Sequence, residues 1–444
     1  MSNVSDVSNP KRYFALHYLL FRFLGLGWWH HPDENDTRNF SGLYFYYAIL
    51  TELIWVVIFV GFESIDPFIG YKDLDRFMFS LSFVVTHDLT IIKMYIFFFK
   101  NREIQDIVRT LEIDLRDYYQ NNGQIRRTIR VTKILTGSFL FFGWLTIANT
   151  TAYCIVKDMK WKSDILQLND SVSKPPRTLP QPIYIPWNYE NEIIFSLTAL
   201  FETIGLLWTG HIVMTIDTFV GSVILHMSSQ FIMLQEAFLT AYDRAIAVLY
   251  EGVQINENSV SRFSEDIDND IRENIIRKQR TEKEIEEALL AVLKSCFQQH
   301  QLLISCVEKF SATYSYGFMT QLVSSVAAIC GVMVQISLDA SSLKSVRLIT
   351  SLAFFAAMII QLAIQCFTGN ELTYQAERVA DAVMECKWER MPARARKMLL
   401  PTMMRAQKPL LLTAAGYANM NNDCFLSIMK AAYSYYAVLS KRQA

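Results

Sequence analysis

Apolar residues in this chain gather into long blocks, not into the short alternating runs of a sheet. A helix needs about 20 mostly apolar residues to cross a bilayer. Seven windows approach that length: 44–62, 78–99, 134–155, 193–225, 310–336, 345–367 and a shorter 424–440. Tyr44–Phe62 holds a single charge, Glu52, which argues against the helix of a water-soluble core. The pattern predicts an all-α integral membrane protein with seven transmembrane helices. An odd number of crossings places the two termini on opposite faces.

The basic residues between the windows choose the faces. Cytoplasmic loops carry the excess of Lys and Arg, and short loops weigh most. The segments before the first window and after the second, fourth and sixth hold more than twice the Lys and Arg of the alternate set. The segment after the second window alone holds Lys100, Arg102, Arg109, Arg116, Arg126, Arg127, Arg130 and Lys133. The expected arrangement has a cytoplasmic amino terminus and an external carboxyl terminus.

Helical periodicity continues beyond the windows on the basic side. Ile104, Ile107, Val108, Leu111 and Leu115 fall at helical spacing within Lys100–Tyr119. Met227–Tyr250 repeats the pattern with Phe231, Leu234, Phe238 and Tyr242, and Ile285–Val307 with Leu289, Leu293, Phe297 and Leu303. Gln254–Asp270 between them is polar and acidic and reads as a loop. These extensions imply a helical bundle continuing into the cytoplasm.

The third interspan loop differs in kind. Ser173–Pro186 contains Pro175, Pro176, Pro180, Pro182 and Pro186, interleaved with Tyr184 and Ile185 and followed by Trp187. Proline blocks helix and favours extended backbone before it. An ordered external lid is expected, with Asn169 as a sequon usable on that side. The sequons at Asn3, Asn35 and Asn39 would lie inside. Tyr13–Gly27, with Arg22 inside it and Trp28 and Trp29 after it, reads as a half-buried interfacial helix, not a cleavable signal.

Composition narrows the function. The 444 residues are 52% apolar and 13% aromatic with a net charge of −1, so no field favours nucleic acid. The mean hydropathy of +0.18 is held down by charged loops. Seven scattered Cys include no C-x-x-C, and the conceivable bridge of Cys154 with Cys330 is not expected. There is no H-E-x-x-H, G-x-S-x-G, P-loop or G-x-G-x-x-G, and His30-His31 reads as interfacial. No enzyme, cofactor or metal is expected. Charges inside the second and fourth windows are His87, Asp88, Lys93, Glu202, His211 and Asp217. Such groups usually face a bundle interior or a wet cavity. Asp88 is expected to pair with a cation on a neighbouring helix, and Glu202 lies where an outer ligand pocket would use it.

The last third of the chain carries a resemblance. Residues 369–388 read GNELTYQAERVADAVMECKW, residues 394–416 read RARKMLLPTMMRAQKPLLLTAAG, and residues 425–440 read FLSIMKAAYSYYAVLS. This order resembles the insect odorant receptor family. The co-receptor's long calmodulin-motif loop and closing sequence are missing, so the chain resembles a ligand-tuning subunit. The resemblance implies four subunits around one cation pore, shared with the odorant co-receptor in a heterotetramer. A small volatile ligand would open it in the plasma membrane of a sensory dendrite.

Organisation follows from the two readings together. Residues 1–43 form a cytoplasmic amino-terminal segment, 44–367 hold six spans, 368–423 form a cytoplasmic anchor layer, and 424–444 hold the pore helix and external terminus. Matching the closing pattern puts the gate at Val438. The rest of the pore stripe falls to Ser434 and Tyr435 one turn away, and to Lys441 and Arg442 at the mouth. The basic run Met384–Gly416 is interrupted by Pro401 and Pro409 and ended by Gly416. The family's pocket among outer halves of spans two, three, four and six maps to Phe77, Ser80, Leu81 and Val84; Leu145, Asn149 and Tyr153; Thr198, Phe201 and Glu202; and Val346, Ile349 and Thr350. A homomeric taste-type receptor channel, a G-protein-coupled receptor and a transporter remain as alternatives. The absence of Asp-Arg-Tyr and Asn-Pro-x-x-Tyr triplets and of internal repeats weighs against the last two.

The charge asymmetry generates a test. An epitope after Ala444 should be labelled on intact cells, and one before Met1 only after permeabilisation. The reverse labelling pattern would overturn the orientation.

Overall fold

The computed structural model describes residues 12–26, 42–72, 74–166, 177–251, 282–341 and 345–441. Trp28, Trp29, His30, His31, the four sequons, the polar loop 254–270 and Arg442 lie outside the described residues. Among the described residues the elements are helices, apart from one pair of two-residue strands, and 177–191 is irregular. Six described helices are long and apolar enough to cross a membrane. The final helix has 20 residues, fewer of them apolar, and does not reach that standard on its own.

The chain opens with α1 (Ala15–Phe23), which buries Phe14, Phe21 and Leu24 and exposes Leu19 and Phe23. That split is the half-buried helix the sequence predicts. Glu112 fixes its start by accepting hydrogen bonds from the backbone N–H groups of Tyr13 and Phe14, at 2.6 and 3.2 Å. His17 faces inward, and burial alone pushes its imidazole down to about 3, so it stays neutral beside the Thr136 hydroxyl.

The first long helix runs from α2 (Gly42–Glu52) through a π-helical stretch, Leu53–Phe59, into α3 (Val60–Gly70). Its outward face exposes Leu43, Phe45, Ile49, Leu50, Leu53 and Val57. An uncovered apolar stripe of this length suits lipid, not water. Next come α4 (Leu74–Phe99), α5 (Asn101–Glu112), α6 (Asn122–Leu166), α7 (Glu192–Leu239) and α8 (Ala241–Glu251). The long α9 (Glu282–Ser341) and α10 (Ser345–Glu385) follow. Helix α10 runs unbroken through residue 367, so no structural break marks the expected boundary between spans and anchor layer.

Helix α7 is the axis of the bundle. It packs on α4, α6, α9 and α10, and nearly every side chain from Ile212 to Phe238 is buried. The extensions behave as their periodicity predicts. Ile104, Ile107, Val108, Leu111 and Leu115 are buried, as are Phe231, Leu234, Phe238, Leu289, Leu293 and Leu303. Ion pairs close this end: Lys309 with Asp106 at 2.5 Å, Lys387 with Asp243 at 2.6 Å and Arg405 with Glu308 at 3.0 Å. All seven Cys are buried and unbridged.

The segment Met384–Gly416 departs from expectation. Pro401 lies inside α11 (Ala393–Ala406), which continues through it with the ring on the exposed side. Gly416 does not end a helix. Ala415 and Gly416, at φ 50° and 76°, turn a minimal hairpin pairing Thr413 with Asn419 and Ala414 with Ala418. The Tyr417 N–H donates to the Ala414 carbonyl at 2.9 Å, and the two positive φ values at the centre of this β-turn reverse the chain within a three-residue connection. The hairpin hangs on α9 through the Ala415 N–H, which donates to the Ser315 carbonyl at 3.1 Å. It delivers the chain into α12 (Asn422–Lys441).

A buried polar cluster sets the register of the bundle. Lys93 on α4 donates to Asp217 on α7 and to Gln321 on α9, both at 2.5 Å. Gln361 and Gln365 on α10 donate to the same carboxylate at 2.6 and 3.1 Å. The partner of Asp88 is not a cation: Ser64 on the adjacent α3 supplies a hydroxyl at 3.0 Å, and the cation in span two turns to Asp217 instead.

Breaking a buried ion pair by removing one partner costs about 3–5 kcal/mol. Asp217→Leu should therefore lower thermal stability in detergent more than Lys93→Met, because Asp217 keeps two amide donors while Lys93 keeps one amide acceptor. The double variant should recover part of the loss, measured as a double-mutant cycle. Additive losses would show that the two residues do not stabilise one another.

Candidate ligand-binding site

The end of the bundle opposite α5 and α11 is closed by the Pro-rich segment. Its described part, 177–191, is irregular but fixed at several points. Gln181 donates through its side chain to Glu63 at 3.1 Å and through its backbone to Glu202 at 3.4 Å. The Tyr184 N–H donates to the Phe62 carbonyl at 3.3 Å, and the Trp187 indole donates to Thr198 at 2.9 Å. Ile183 is buried against the same wall. Prolines keep the strap extended, and the two carboxylates beneath supply acceptors that irregular backbone otherwise lacks. Glu63 also holds His87, at 2.6 Å.

Beside this strap lies a cavity of about 410 Å³. Its walls are Arg76 and Phe79 of α4, Thr150 and Tyr153 of α6, Arg347 and Thr350 of α10, the strap from Arg177 to Ile183, and Tyr189. The volume falls in the range of small-molecule sites, about 300–1,000 Å³. Burial, with the Glu202 carboxylate nearby, raises the Tyr189 phenol above its ordinary value, so it remains a neutral hydroxyl.

Two of the sequence-derived candidates, Tyr153 and Thr350, line this cavity. Others stand beside it. Ser80 and Val84 are buried on α4 while Phe77 and Leu81 are half-buried, but the lining positions there are Arg76 and Phe79. Asn149 is half-buried and spends its amide on the Leu145 carbonyl at 2.8 Å. Leu145 and Ile349 are exposed on the outside of the bundle. Thr198, Phe201 and Glu202 lie under the strap: Phe201 packs against Trp55, Phe59 and Trp187, and Glu202 is fully buried. The Val346 side chain lies outside the described residues. The sequence reading missed the three arginines.

Each arginine is braced by a carboxylate. Arg76 pairs with Asp66. Arg177 meets Asp158 at 2.7 Å and lies over the rings of Phe195 and Trp161, at 4.0 and 4.6 Å. Arg347 meets Asp339 at 3.2 Å and lies over Phe79 at 4.9 Å. Asp339 also accepts from Ser351 and Gln335. Guanidinium is the cation best suited to such stacked, desolvated positions.

The final helix forms a second feature. It packs on α9 and α10, burying Cys424 and Ala432 and setting Phe425 against Phe367 at 5.1 Å. Its opposite side is uncovered. Ser427, Lys430, Ser434 and Val438 recur there at three- and four-residue spacing, and all are exposed. Tyr435 is exposed at the flank of this stripe, and the side chain of Lys441 is outside the described set.

Comparison with known proteins follows this geometry closely. The family model described as 7tm Odorant receptor matches residues 73–433. Odorant receptor Or1 of Anopheles gambiae is 22% identical over 99% of this chain and 97% of its own length. Odorant receptor 2a of Drosophila melanogaster is 26% identical over 35% of this chain and 38% of that protein. The olfactory receptor OR5 of Machilis hrabei, solved in complex with eugenol, superposes with a TM-score of 0.68 over 97% of this chain and 98% of its own, at 13% identity. At that identity the likeness is one of fold.

The strap's anchoring can be tested by stability. Gln181→Ala leaves the buried Glu63 oxygen without its donor and should cost about 1–3 kcal/mol, whereas Trp187→Phe loses one hydrogen bond worth about 0.5–1.5 kcal/mol. Thermal unfolding should rank wild type above Trp187→Phe above Gln181→Ala, with faster proteolysis within 178–187 in both. Equal stability of all three would mean the strap is not held by these contacts.

Proposed function

The chain belongs to the 7tm odorant receptor family, and from that membership we propose that it is the odorant-binding subunit of a ligand-gated, non-selective cation channel. The observation that carries the reading is the pairing of two features on one chain. A half-open cavity of ligand size sits beside the strap at one end, and an amphipathic final helix has one uncovered side among the described residues. A single chain cannot enclose a pore with one such helix. Several copies around an axis would cover the stripe of Ser427, Lys430, Ser434 and Val438, and Val438 would supply the apolar constriction that closes by dewetting.

The proposed assembly is a heterotetramer with the shared odorant co-receptor, in the plasma membrane of a sensory dendrite. The amino terminus lies in the cytoplasm, and the cavity and strap lie outside. Helix α10 links the two features: it carries Thr350 at the cavity and Phe367 against the final helix. Ligand-dependent displacement of α10 therefore reaches the pore helix by direct packing. Gly369 keeps that junction tight, because a Cβ there would collide with the Met420 carbonyl.

Whole-cell recording with and without the co-receptor, during odorant application, tests the proposal. Current is expected only with the co-receptor, and should persist when G-protein signalling is blocked. Current from this chain alone would favour a homomeric taste-type channel, and a response abolished by G-protein block would overturn the channel reading. Tyr153→Ala should raise the half-activating concentration about tenfold or more, since burying such an aromatic is worth about 1.5–3 kcal/mol. Phe201→Ala, acting through the strap, should shift it less. Unchanged sensitivity in both would remove this cavity as the site.

A further inference from the structure

Among the described residues, the cavity wall carries three arginines, Arg76, Arg177 and Arg347, and no carboxylate. Their partners Asp66, Asp158 and Asp339 are absent from the lining and brace the arginines from outside it. The remaining polar lining side chains are hydroxyls and the Gln181 amide; Thr150 donates to the Thr146 carbonyl and Gln181 to Glu63, which leaves the guanidinium groups as the charged donors of the described lining. Hydrogen-bond donors and positive charge therefore converge on one space, alongside the apolar surfaces of Phe79 and Ile183. Resting on the odorant-binding reading above, we infer that the ligand of this site has a polar head that accepts hydrogen bonds, a carbonyl, ester or carboxylate, on a short hydrocarbon body. A carboxylate is the strongest case.

The physics is a matter of which charge lies nearer. The bracing carboxylates are not among the described lining residues, so the arginines are the charged groups that a ligand in the cavity meets there. A negative or partly negative oxygen is attracted more strongly than it is repelled. Hydrogen bonds between a guanidinium and an anionic oxygen are about twice as strong as neutral ones. An ammonium head meets the reverse field and finds no acceptor carboxylate. A pure hydrocarbon strips water from the donors and gives nothing back, which costs affinity. The bracing also removes an entropic cost. Arg177 is pinned between its aspartate and two aromatic rings, and Arg347 between its aspartate and Phe79. Donors already fixed in place lose little freedom when a ligand binds.

The test uses the full chain with the co-receptor in patch-clamped cells. Matched series of four to ten carbons, as carboxylic acid, methyl ketone, primary alcohol, primary amine and alkane, are applied at pH 7.4. The acid or ketone should be the most potent at the optimal length, with the amine and alkane at least tenfold weaker. Arg347→Lys keeps the charge opposite Asp339 but loses the fork. It should raise the half-activating concentration of acid and ketone at least tenfold while moving the alcohol less than threefold. Arg76→Gln, at the more open edge of the cavity, gives a second variant should the first fail to reach the surface, as read by surface biotinylation. An amine or alkane matching the acid would overturn the inference while leaving the odorant-receptor reading intact, as would an equal shift across all series. Failure of these series and of a broad odorant panel to open any current would overturn both.

Discussion

One carboxylate in the apolar core, Asp217, dictates how the long helices meet. A charge at that depth is tolerated only with partners, because hydrocarbon cannot solvate it. Asp217 takes its partners from Lys93 on α4 and from Gln361 and Gln365 on α10, while Lys93 takes a second acceptor from Gln321 on α9. Four helices are thereby fixed in rotation and depth at one level. Apolar packing alone would permit neighbouring registers at similar energy, since side chains in lipid gain little from choosing one apolar surface over another. The polar cluster removes that degeneracy, and the cavity and the final helix inherit their positions from it.

The two ends of the bundle then carry different burdens. The end with α5, α8 and α11 is closed by ion pairs and by amphipathic helices that bury Ile104, Val108, Leu111, Ala245, Ala395 and Leu399. The other end is closed by irregular backbone held on buried acids, and a cavity of about 410 Å³ lies beside it. A strap held at separate points, without the continuous backbone ladder of a helix, is easier to reorganise than a helix. Placing the cavity under such a strap, and connecting it by a continuous α10 to the final helix, separates the part that responds from the part that holds the chain together.

Much of this was legible in the sequence. Period and length gave the long helices and their extensions, because Ile104, Val108, Leu111 and Leu115 repeat without exception and burial follows repetition. The prolines of 175–186 announced a strap. What failed was rotation. The expected stripe on α6 was Leu145, Asn149 and Tyr153, whereas Thr146 and Thr150 are the inward positions and Leu145 faces out. In a transmembrane helix both faces are apolar, so hydrophobicity no longer tells in from out. The partner of Asp217 lies on a distant helix, and spacing along the chain holds no record of it. The arginines were missed for a different reason. Arg76, Arg177 and Arg347 sit in or beside the interhelix segments at the strap end, where basic residues are few and scattered. Each follows an aspartate that precedes or begins the same loop, Asp66, Asp158 and Asp339, and that recurring Asp-to-Arg order was the available signal.

Electrostatics also bears on the assembly that the uncovered stripe of α12 invites. Lys430 lies on that stripe between Ser427 and Ser434. On the channel reading, four identical chains would set four ammonium groups around a path meant for cations. Two unit charges about 8 Å apart repel by about 2 kcal/mol at an effective dielectric of 20. A ring holds several such pairs, and each also repels the permeant ion. Lys441 and Arg442 would add to the same field at the mouth. Water and salt in an open pore weaken the repulsion, but a closed apolar ring at Val438 admits neither. The cost falls steeply as copies are exchanged for subunits with neutral residues at these positions. A chain that combines its own ligand cavity with a basic pore face is therefore better suited to a minority place in a mixed ring than to a ring of its own.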